Sequence, residues 1–377
     1  MTDRVAQEGG RAAGRTEKGE GREDAEMEKP RERTGRIRGA RALGTGQAAR
    51  LRGRWVGTYN TCGMRMEARA PDGKRLDWGE CEGMSDDLMH KITAAPTAKT
   101  RSIVESLVGR DAVVFVLTDI HVEDKSKEMD ALQGYLREKG FESAATGGWK
   151  EGMGDTGAAE GAGGVMIVWR RAEVRQEGEA WEVVEGRAIG VRLHATRCGA
   201  RMLVIGVYMP VRADPMTAST RDDWDRVEAA VGGQGRVLVL GDMNAETAEA
   251  MKRNGGRVAK QQDRRMWAMI DRAVLRAHSV GEATYRDVSE IDHAMSGGGA
   301  GEYLGRAERR AGETGGDHGY VWVEFRGKPG AGTETEGRTR AKGQGLGWIQ
   351  GEAAWVKYAG CVEERTGKAV RGEAEGR

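Results

Sequence analysis

The sequence predicts a mixed α/β (α+β) fold in which β-sheets pack on one another and helices cover the outside. Short apolar runs alternate with helical patterns early in the chain, and neighbouring strands then follow one another through tight links. Residues 237–240 read Val-Leu-Val-Leu, which is typical of a strand buried on both faces. This combination favours packed sheets over a single doubly wound sheet.

The predicted strands share short apolar runs that are rich in β-branched and aromatic residues. They span residues 55–60, 112–118, 164–169, 188–194, 202–208, 236–240, 291–295 and 320–325. The predicted helices share apolar residues at helical spacing, as at Ile103, Val104 and Leu107. They span residues 97–108, 126–139, 217–230 and 263–277.

Composition divides the chain into three regions. Residues 1–50 are rich in Gly, Arg, Glu and Ala, so we predict a disordered arm that buries too little surface to offset its ordering entropy. The arm is basic from residue 29, and its charges either contact a phosphate backbone or lie solvated. Residues 52–327 form the predicted folded domain, and residues 328–377 form a low-complexity charged tail with a short apolar patch.

Charge and cysteine content argue against a uniformly basic protein and against a zinc site built from cysteines. A net charge of +1 over 377 residues gives no global basic field. The four cysteines (Cys62, Cys81, Cys198 and Cys361) form no CxxC pair and no zinc spacing, so free thiols in a reducing compartment are expected. No apolar run approaches the roughly 20 residues of a membrane span, and no secretory signal is recognised, so we expect an intracellular protein, nuclear or cytoplasmic.

Polar residues lie at the ends of the predicted strands. They are Asn60, Asp119, Tyr208, Asp242, Asn244, Asp292, Asp317 and His318. Carboxylate and amide oxygens without cysteine suit Mg²⁺ or Mn²⁺. A histidine beside a carboxylate can be an oriented proton donor, and amide or phenol donors can stabilise developing charge. The set therefore predicts metal-assisted hydrolysis of a phosphate ester.

This ordered set resembles the endonuclease/exonuclease/phosphatase family. Gly241-Asp-Met-Asn244 is similar to the family's Gly-Asp-aromatic-Asn, and Asp317-His318 before the last strand is similar to its Ser-Asp-His. The resemblance covers nearly all of residues 55–325. It implies a four-layered α/β sandwich of two mixed sheets flanked by helices and a divalent metal (Mg²⁺ or Mn²⁺).

The resemblance also implies roles for the polar residues. Asn60, Asp119 and Asp317 would form or support the metal site. Tyr208 and Asn244 would bind the scissile phosphate. Asp242 would orient or deprotonate the attacking water. His318 would stabilise the transition state or share the base role, with Asp292 fixing its tautomer.

Three positions depart from the family pattern. The family's Gln-Glu-Thr-His is Thr118-Asp-Ile-His121 here, so the expected metal ligand is shorter by about 1.5 Å. Asp119 would then bind through a water, favour a larger ion, bind weakly, or be only a strand-end residue. The other two departures are Gly316 in place of serine and Met243 in place of an aromatic residue.

Tyr208, in Val-Tyr-Met-Pro, resembles the nucleic-acid branch of the family, and Thr284-Tyr285 resembles its retrotransposon members. The first hypothesis is a metal-dependent endonuclease of retrotransposon type that nicks DNA. The second is a phosphodiesterase or phosphatase of the same fold that acts on a small molecule or lipid head group. The third is a nucleic-acid-binding or scaffold module that has lost its metal.

Target recognition is expected from loops, for which residues 65–82, 147–163 and 296–316 are candidates. The last contains Arg306, Arg309 and Arg310, which either enter a minor groove or lie solvated. The oligomeric state is left open by the sequence.

Overall fold

A computed structural model of the chain describes residues 53–148, 163–211, 215–312 and 316–326. The predicted arm, the predicted tail and most of the Gly-rich loop at 147–163 lie outside the described residues. Within them, no helix is both long enough and apolar enough to span a bilayer.

The strands of the described residues are bounded as follows: β1 Arg54–Asn60, β2 Met66–Arg69, β3 Arg75–Leu76, β4 Thr93–Pro96, β5 Ala112–Thr118, β6 Phe141–Thr146, β7 Val165–Arg170, β8 Val174–Gln176, β9 Trp181–Val184, β10 Ala188–Ala195, β11 Ala200–Tyr208, β12 Val237–Asp242, β13 Arg276–Ala277, β14 Asp292–Gly297, β15 Leu304–Arg310 and β16 Tyr320–Phe325. The helices are α1 Trp78–Glu82, α2 Asp86–Met89, α3 Ala98–Gly109, α4 Lys127–Glu138, α5 Ala218–Val231, α6 Ala248–Arg253 and α7 Gln261–Arg272, with a 3₁₀ helix at Ala300–Tyr303.

Two large mixed sheets are formed by the described residues. The first has the strand order β15-β16-β1-β5-β7-β6. The second has the order β13-β14-β12-β11-β10-β8, with β9 paired to β10. Strand β1 runs parallel to β5, and β11 runs parallel to β12, whereas their other neighbours are antiparallel. A small sheet, β3-β2-β4, lies outside these two.

Three layers of apolar side chains join the sheets and helices. Val116 and Val204 belong to the layer between the two sheets. Leu132 and Leu136 of α4 pack on the outer face of the first sheet, and Trp224 of α5 belongs to the outer layer of the second. Full burial of each leucine stabilises the fold by about 2 kcal/mol. The predicted arrangement of two mixed sheets flanked by helices is confirmed.

All eight predicted strands and four predicted helices are present, with differences at their ends. The largest is at residues 263–277, where the predicted helix was too long. Helix α7 ends at Arg272 because Val274 takes a left-handed φ of 50° and the N–H of Leu275 bonds to the carbonyl of Ile270. Residues 276–277 then pair with β14.

Two segments that were assigned to loops contain regular structure. Residues 65–82 include β2, β3 and α1, and α1 begins with a capping box between Asp77 and Glu80. Residues 296–316 include β15, which pairs with β16 although its sequence has no β-branched residue. The arginines of that segment therefore lie on an edge strand or its end, not on an irregular loop.

The strand directions bring the polar strand ends together. The parallel pair β1 and β5 delivers Asn60 and Asp119 to one edge of the first sheet. In the second sheet, Tyr208 lies opposite Asp242, and Asp242 lies opposite Asp292. The topology thus places residues from both sheets at one edge of the sandwich.

Candidate active site

A cavity of about 340 Å³ opens at this edge. Seven of the eight predicted site residues line it: Asn60, Asp119, Tyr208, Asp242, Asn244, Asp317 and His318. The eighth, Asp292, has a buried side chain that contacts His318. The fold therefore brings together residues that are up to 258 positions apart in the chain, as for Asn60 and His318.

Asp242 is buried at the end of β12 and is fixed from two sides. The side-chain N–H of Asn60 donates to Oδ2 at 2.9 Å, and the backbone N–H of Asn244 donates to Oδ1 at 2.8 Å. The preceding Gly241 has a φ of 151°, and a Cβ there would lie 1.8 Å from the carbonyl oxygen of Val207. Only glycine fits this approach, so the glycine of the motif sets the direction of the carboxylate.

His318 and Asp292 form a buried pair. Nδ1 of His318 lies 2.9 Å from Oδ2 of Asp292, and the backbone N–H of Asp292 donates to the hydroxyl of Thr284. Burial alone would lower the pKa of His318, but the charge and hydrogen bond of Asp292, with the charge of Asp242, raise it to about 9. His318 is therefore cationic at neutral pH, with Nδ1 directed at Asp292.

Asp119 sits at the end of β5 with a left-handed φ of 54°. Its Oδ1 accepts a hydrogen bond from the backbone N–H of Gly163 at 3.0 Å and lies 2.8 Å from Nε2 of His121. Tyr208 is also hydrogen-bonded to the carboxylate of Asp119. The carboxylate faces the cavity, but its own neighbours already use part of its bonding capacity.

Asn244 has a left-handed φ of 46°, and its side-chain N–H donates to the carbonyl of Met209 at 2.8 Å. This contact orients the amide and uses one of its two N–H groups. Asp317 lies at the mouth of the cavity, where Arg286 pairs with it. Tyr285 lies between these groups. Its ring centroid is 4.9 Å from that of His318 at a tilt of 51°, and the guanidinium of Arg286 is 5.1 Å from it.

Three titratable groups respond to the negative charge of the cavity. Burial first, and then the charge of Asp292, raise the pKa of Asp242 to about 7. Burial first, and then the charge of Asp119, raise the pKa of Cys62 to about 11. Burial first, and then the charges of Asp119 and Asp242, raise the pKa of Tyr208, which keeps its phenol neutral. Such a site stabilises a cation.

A divalent ion fits these donors. Asp119, Asp242 and Asp317 face the cavity, and Oδ1 of Asp292 is buried without a hydrogen-bond partner in the described structure. Ligand atoms of Asp242, Asp292 and His318 all lie within 4.8 Å of one another, so this side of the cavity concentrates two carboxylates beside the cationic histidine. Oxygen-rich donors of this kind suit a hard cation.

Cys62, Arg286 and Ser289 also surround the cavity or its mouth, and they were not predicted as site residues. Cys62 follows Asn60 by two residues and was within reach of the same strand-end pattern. Arg286 carries no such signal, because it approaches through a loop.

Comparisons with known proteins gave structural neighbours alone. No protein-family model matches the chain, and no curated protein matches it. The 3′ phosphatase NExo from Neisseria, bound to a product DNA hairpin, has 15% identity and a TM-score of 0.44, covering 60% of this chain and 93% of that one. An AP endonuclease from Archaeoglobus fulgidus has 13% identity and the same TM-score and coverage.

The endonuclease domain of TRAS1, a telomere-specific non-LTR retrotransposon, has 13% identity and a TM-score of 0.43, covering 60% of this chain and 91% of that one. These neighbours are nucleases and a phosphatase, which are the classes of the family that the motifs resemble. Identities and TM-scores this low transfer neither an activity nor a residue role to this chain.

Proposed function

We propose that this chain is a divalent-metal-dependent hydrolase of phosphodiester bonds that acts on DNA as an endonuclease. The observation that carries the proposal is the meeting of two polarised pairs at one cavity. Asn60 holds the carboxylate of Asp242, and Asp292 holds the imidazole of His318. A base and a cationic donor are thus presented to the same space, as hydrolysis of a phosphate ester requires.

In this mechanism Asp242 accepts a proton from the attacking water. The hydrogen bonds from Asn60 and Asn244 fix the orientation of its carboxylate. Its pKa, raised to about 7, makes it a stronger base than an exposed aspartate. His318, which is cationic, donates from Nε2 to a non-bridging phosphate oxygen as charge builds there. Asp292 keeps Nδ1 occupied, so that Nε2 is the nitrogen available to substrate.

Asn60, Asp119 and Asp317 are the residues that would hold the metal. When bound, the ion supplies Lewis-acid stabilisation of the phosphate and of the leaving oxygen. The remaining N–H of Asn244 and the neutral phenol of Tyr208 donate to phosphate oxygens. Tyr208 first has to exchange its hydrogen bond with Asp119 for one with the substrate.

DNA as the substrate, and the retrotransposon type, are supported by Tyr208 in Val-Tyr-Met-Pro and by the Thr284-Tyr285 pair. The hydroxyl of Thr284 accepts hydrogen bonds from the backbone N–H groups of both Ile291 and Asp292, and the ring of Tyr285 packs at a tilt against that of His318. The motif that resembles this branch is therefore in direct contact with the proposed catalytic pair.

A second candidate is a nucleic-acid-binding module with an impaired metal site. It is favoured because two of the proposed metal ligands already have protein partners. Asp119 is hydrogen-bonded to His121 and Gly163, and Asp317 forms an ion pair with Arg286. Calorimetric titration with Mg²⁺ and Mn²⁺ distinguishes the two. Micromolar to millimolar binding contradicts the impaired module, and no binding to folded protein contradicts the hydrolase.

The direct test is nicking of supercoiled plasmid by the full chain in Mg²⁺, in Mn²⁺ and in EDTA. Metal-dependent relaxation that is lost in Asp242→Ala and kept in Asp271→Ala supports the endonuclease; Asp271 is an exposed acid of α7. Hydrolysis of soluble phosphodiesters without DNA cleavage would instead favour a small-molecule or lipid phosphodiesterase.

A further inference from the structure

A second cavity, of about 440 Å³, shares no lining residue with the candidate active site. Arg110 lines it at the end of α3, together with Arg310 and Trp322. The guanidinium of Arg110 lies 4.3 Å from the ring centroid of Trp55 and 5.6 Å from that of Trp322. Its side chain is only 17% exposed, so two aromatic rings hold a largely buried positive charge at the wall of this cavity.

Two more arginines reach the same place from the edge strand β15. Alternate residues of a strand share a face, so Arg306, Glu308 and Arg310 project together. Glu308 is paired with Trp322 and Arg310 with Tyr320 in the sheet register. The guanidinium of Arg306 lies 5.9 Å from the ring of Trp55. Arg110 therefore lies near both tryptophans, Arg306 lies near Trp55, and Arg310 lines the same cavity as Trp322.

These three arginines share one carboxylate among the described residues. Glu308 forms an ion pair with Arg110, with Arg306 at 3.7 Å and with Arg310 at 3.4 Å. One negative charge against three positive charges leaves an excess of two. In addition, Nε of Arg110 is buried and has no hydrogen-bond partner in the described structure. Burial first, and then the charges of Arg310 and Arg306, lower the pKa of Arg110 to about 10.

Two structural explanations leave part of the cluster unaccounted for. Charges on an edge strand discourage pairing with other chains, which suits Arg306 and Arg310. A cation at a helix C-terminus is stabilised by the helix dipole, which suits Arg110. Neither explains why all three arginines are gathered on the single carboxylate of Glu308, or why Nε of Arg110 is left without a partner in the described structure.

We propose that Arg110, Arg306 and Arg310 form a phosphate-binding subsite for the DNA strand that flanks the scissile bond, an inference that rests on the proposed function. Guanidinium groups match phosphate oxygens in charge and in geometry. The subsite adjoins the active site: Gly312, which lines the second cavity, packs against the carbonyl oxygen of His318 so closely that a Cβ would lie 1.9 Å from it. Arg310 pairs with Tyr320, two residues after His318, which is roughly 7 Å along the strand.

The first experiment measures binding of a duplex DNA oligonucleotide to the full chain in EDTA, where no turnover occurs, over a range of salt concentrations. Loss of one phosphate contact lowers the slope of log K against log salt by about 0.9. We expect that decrease in the double variant Arg306→Ala/Arg310→Ala. The matched control is Arg221→Ala/Arg264→Ala, which removes the same charge from two exposed arginines of α5 and α7. Equal decreases in both double variants would overturn the subsite.

The second experiment does not depend on DNA. Inorganic phosphate is titrated into ¹⁵N-labelled full chain, and the indole N–H signals of Trp55 and Trp322 are followed after assignment by single Trp→Phe variants. We expect saturable shifts of both signals that are lost in Arg306→Ala/Arg310→Ala and kept in the control. If phosphate shifts both indole signals but the chain binds no DNA, the anion-binding site is supported and DNA as the substrate is contradicted. DNA binding without shifts and without a change of slope would refute the subsite alone.

Discussion

The guanidinium of Arg286 donates two hydrogen bonds to Oδ2 of Asp317, at 3.0 Å from Nε and 2.6 Å from Nη2. The contact is built into the backbone, because the N–H of Arg286 also donates to the carbonyl of Asp317. Arg286 and Asp287 both take left-handed φ values, 47° and 54°, which are uncommon for residues other than glycine. A proposed metal ligand is therefore paired with a cation from the chain itself.

Replacing Arg286 by alanine should increase the affinity of the site for Mn²⁺. The arginine competes with the ion for Asp317, and because exposed ion pairs are weak, its removal should raise the affinity by roughly fivefold at most. Isothermal titration calorimetry at low salt measures the change. Arg309→Ala is the matched control, because Arg309 pairs with Asp287 in the same loop without contacting Asp317. An unchanged Mn²⁺ affinity in Arg286→Ala would show that the arginine does not compete.

The Asp242→Asn substitution should reduce kcat for plasmid nicking by about 10²-fold or more, which is the lower range of a general base contribution. The amide keeps the shape of the side chain but cannot accept the proton of water. Asn60→Ala should cause a smaller loss, because it removes one of two hydrogen bonds to that carboxylate. Thermal unfolding followed by circular dichroism checks that both variants fold. Comparable nicking by Asp242→Asn and the unaltered chain would remove Asp242 from the base role.

The strands that form the centre of each sheet could be predicted because their apolar runs are continuous, as in β12 and in β5. The site residues could be predicted because they lie at or next to the ends of apolar strands, as Asn60 and Asp242 do. Strand β15 was not predicted because its Arg-rich sequence lacks an apolar run. It is extended because it pairs with β16 at the edge of the sheet. The Arg286–Asp317 pair was not predicted either, because a contact between a loop and a strand end over 31 residues leaves no periodic signal.

The Asp119→Glu substitution should shift the metal preference of nicking from Mn²⁺ toward Mg²⁺. Glutamate extends the carboxylate by about 1.5 Å, and Mg²⁺ tolerates little error around its 2.0–2.1 Å ligand distance. The longer side chain would also move the carboxylate away from Gly163 and His121, so the hydrogen bonds that Asp119 makes with them would be lost. The ratio of initial nicking rates in the two metals is the measurement. A ratio that does not change would mean that Asp119 is a strand-end residue without a role in metal binding.

The pair of His318 and Asp292 should make the metal-free fold lose stability as pH rises. The folded-state pKa of His318 is raised from 6.5 to about 9. The contribution of the protonated histidine to the free energy of unfolding is therefore fully present below pH 6.5 and is lost as pH rises through 9. A shift of this size corresponds to about 3 kcal/mol. Urea unfolding in EDTA between pH 6.5 and 9.5 should therefore show a steeper loss in the unaltered chain than in His318→Gln. His90→Gln, at an exposed position, should keep the steeper dependence. Parallel pH dependences for the unaltered chain and His318→Gln would mean that the histidine gains no proton affinity on folding.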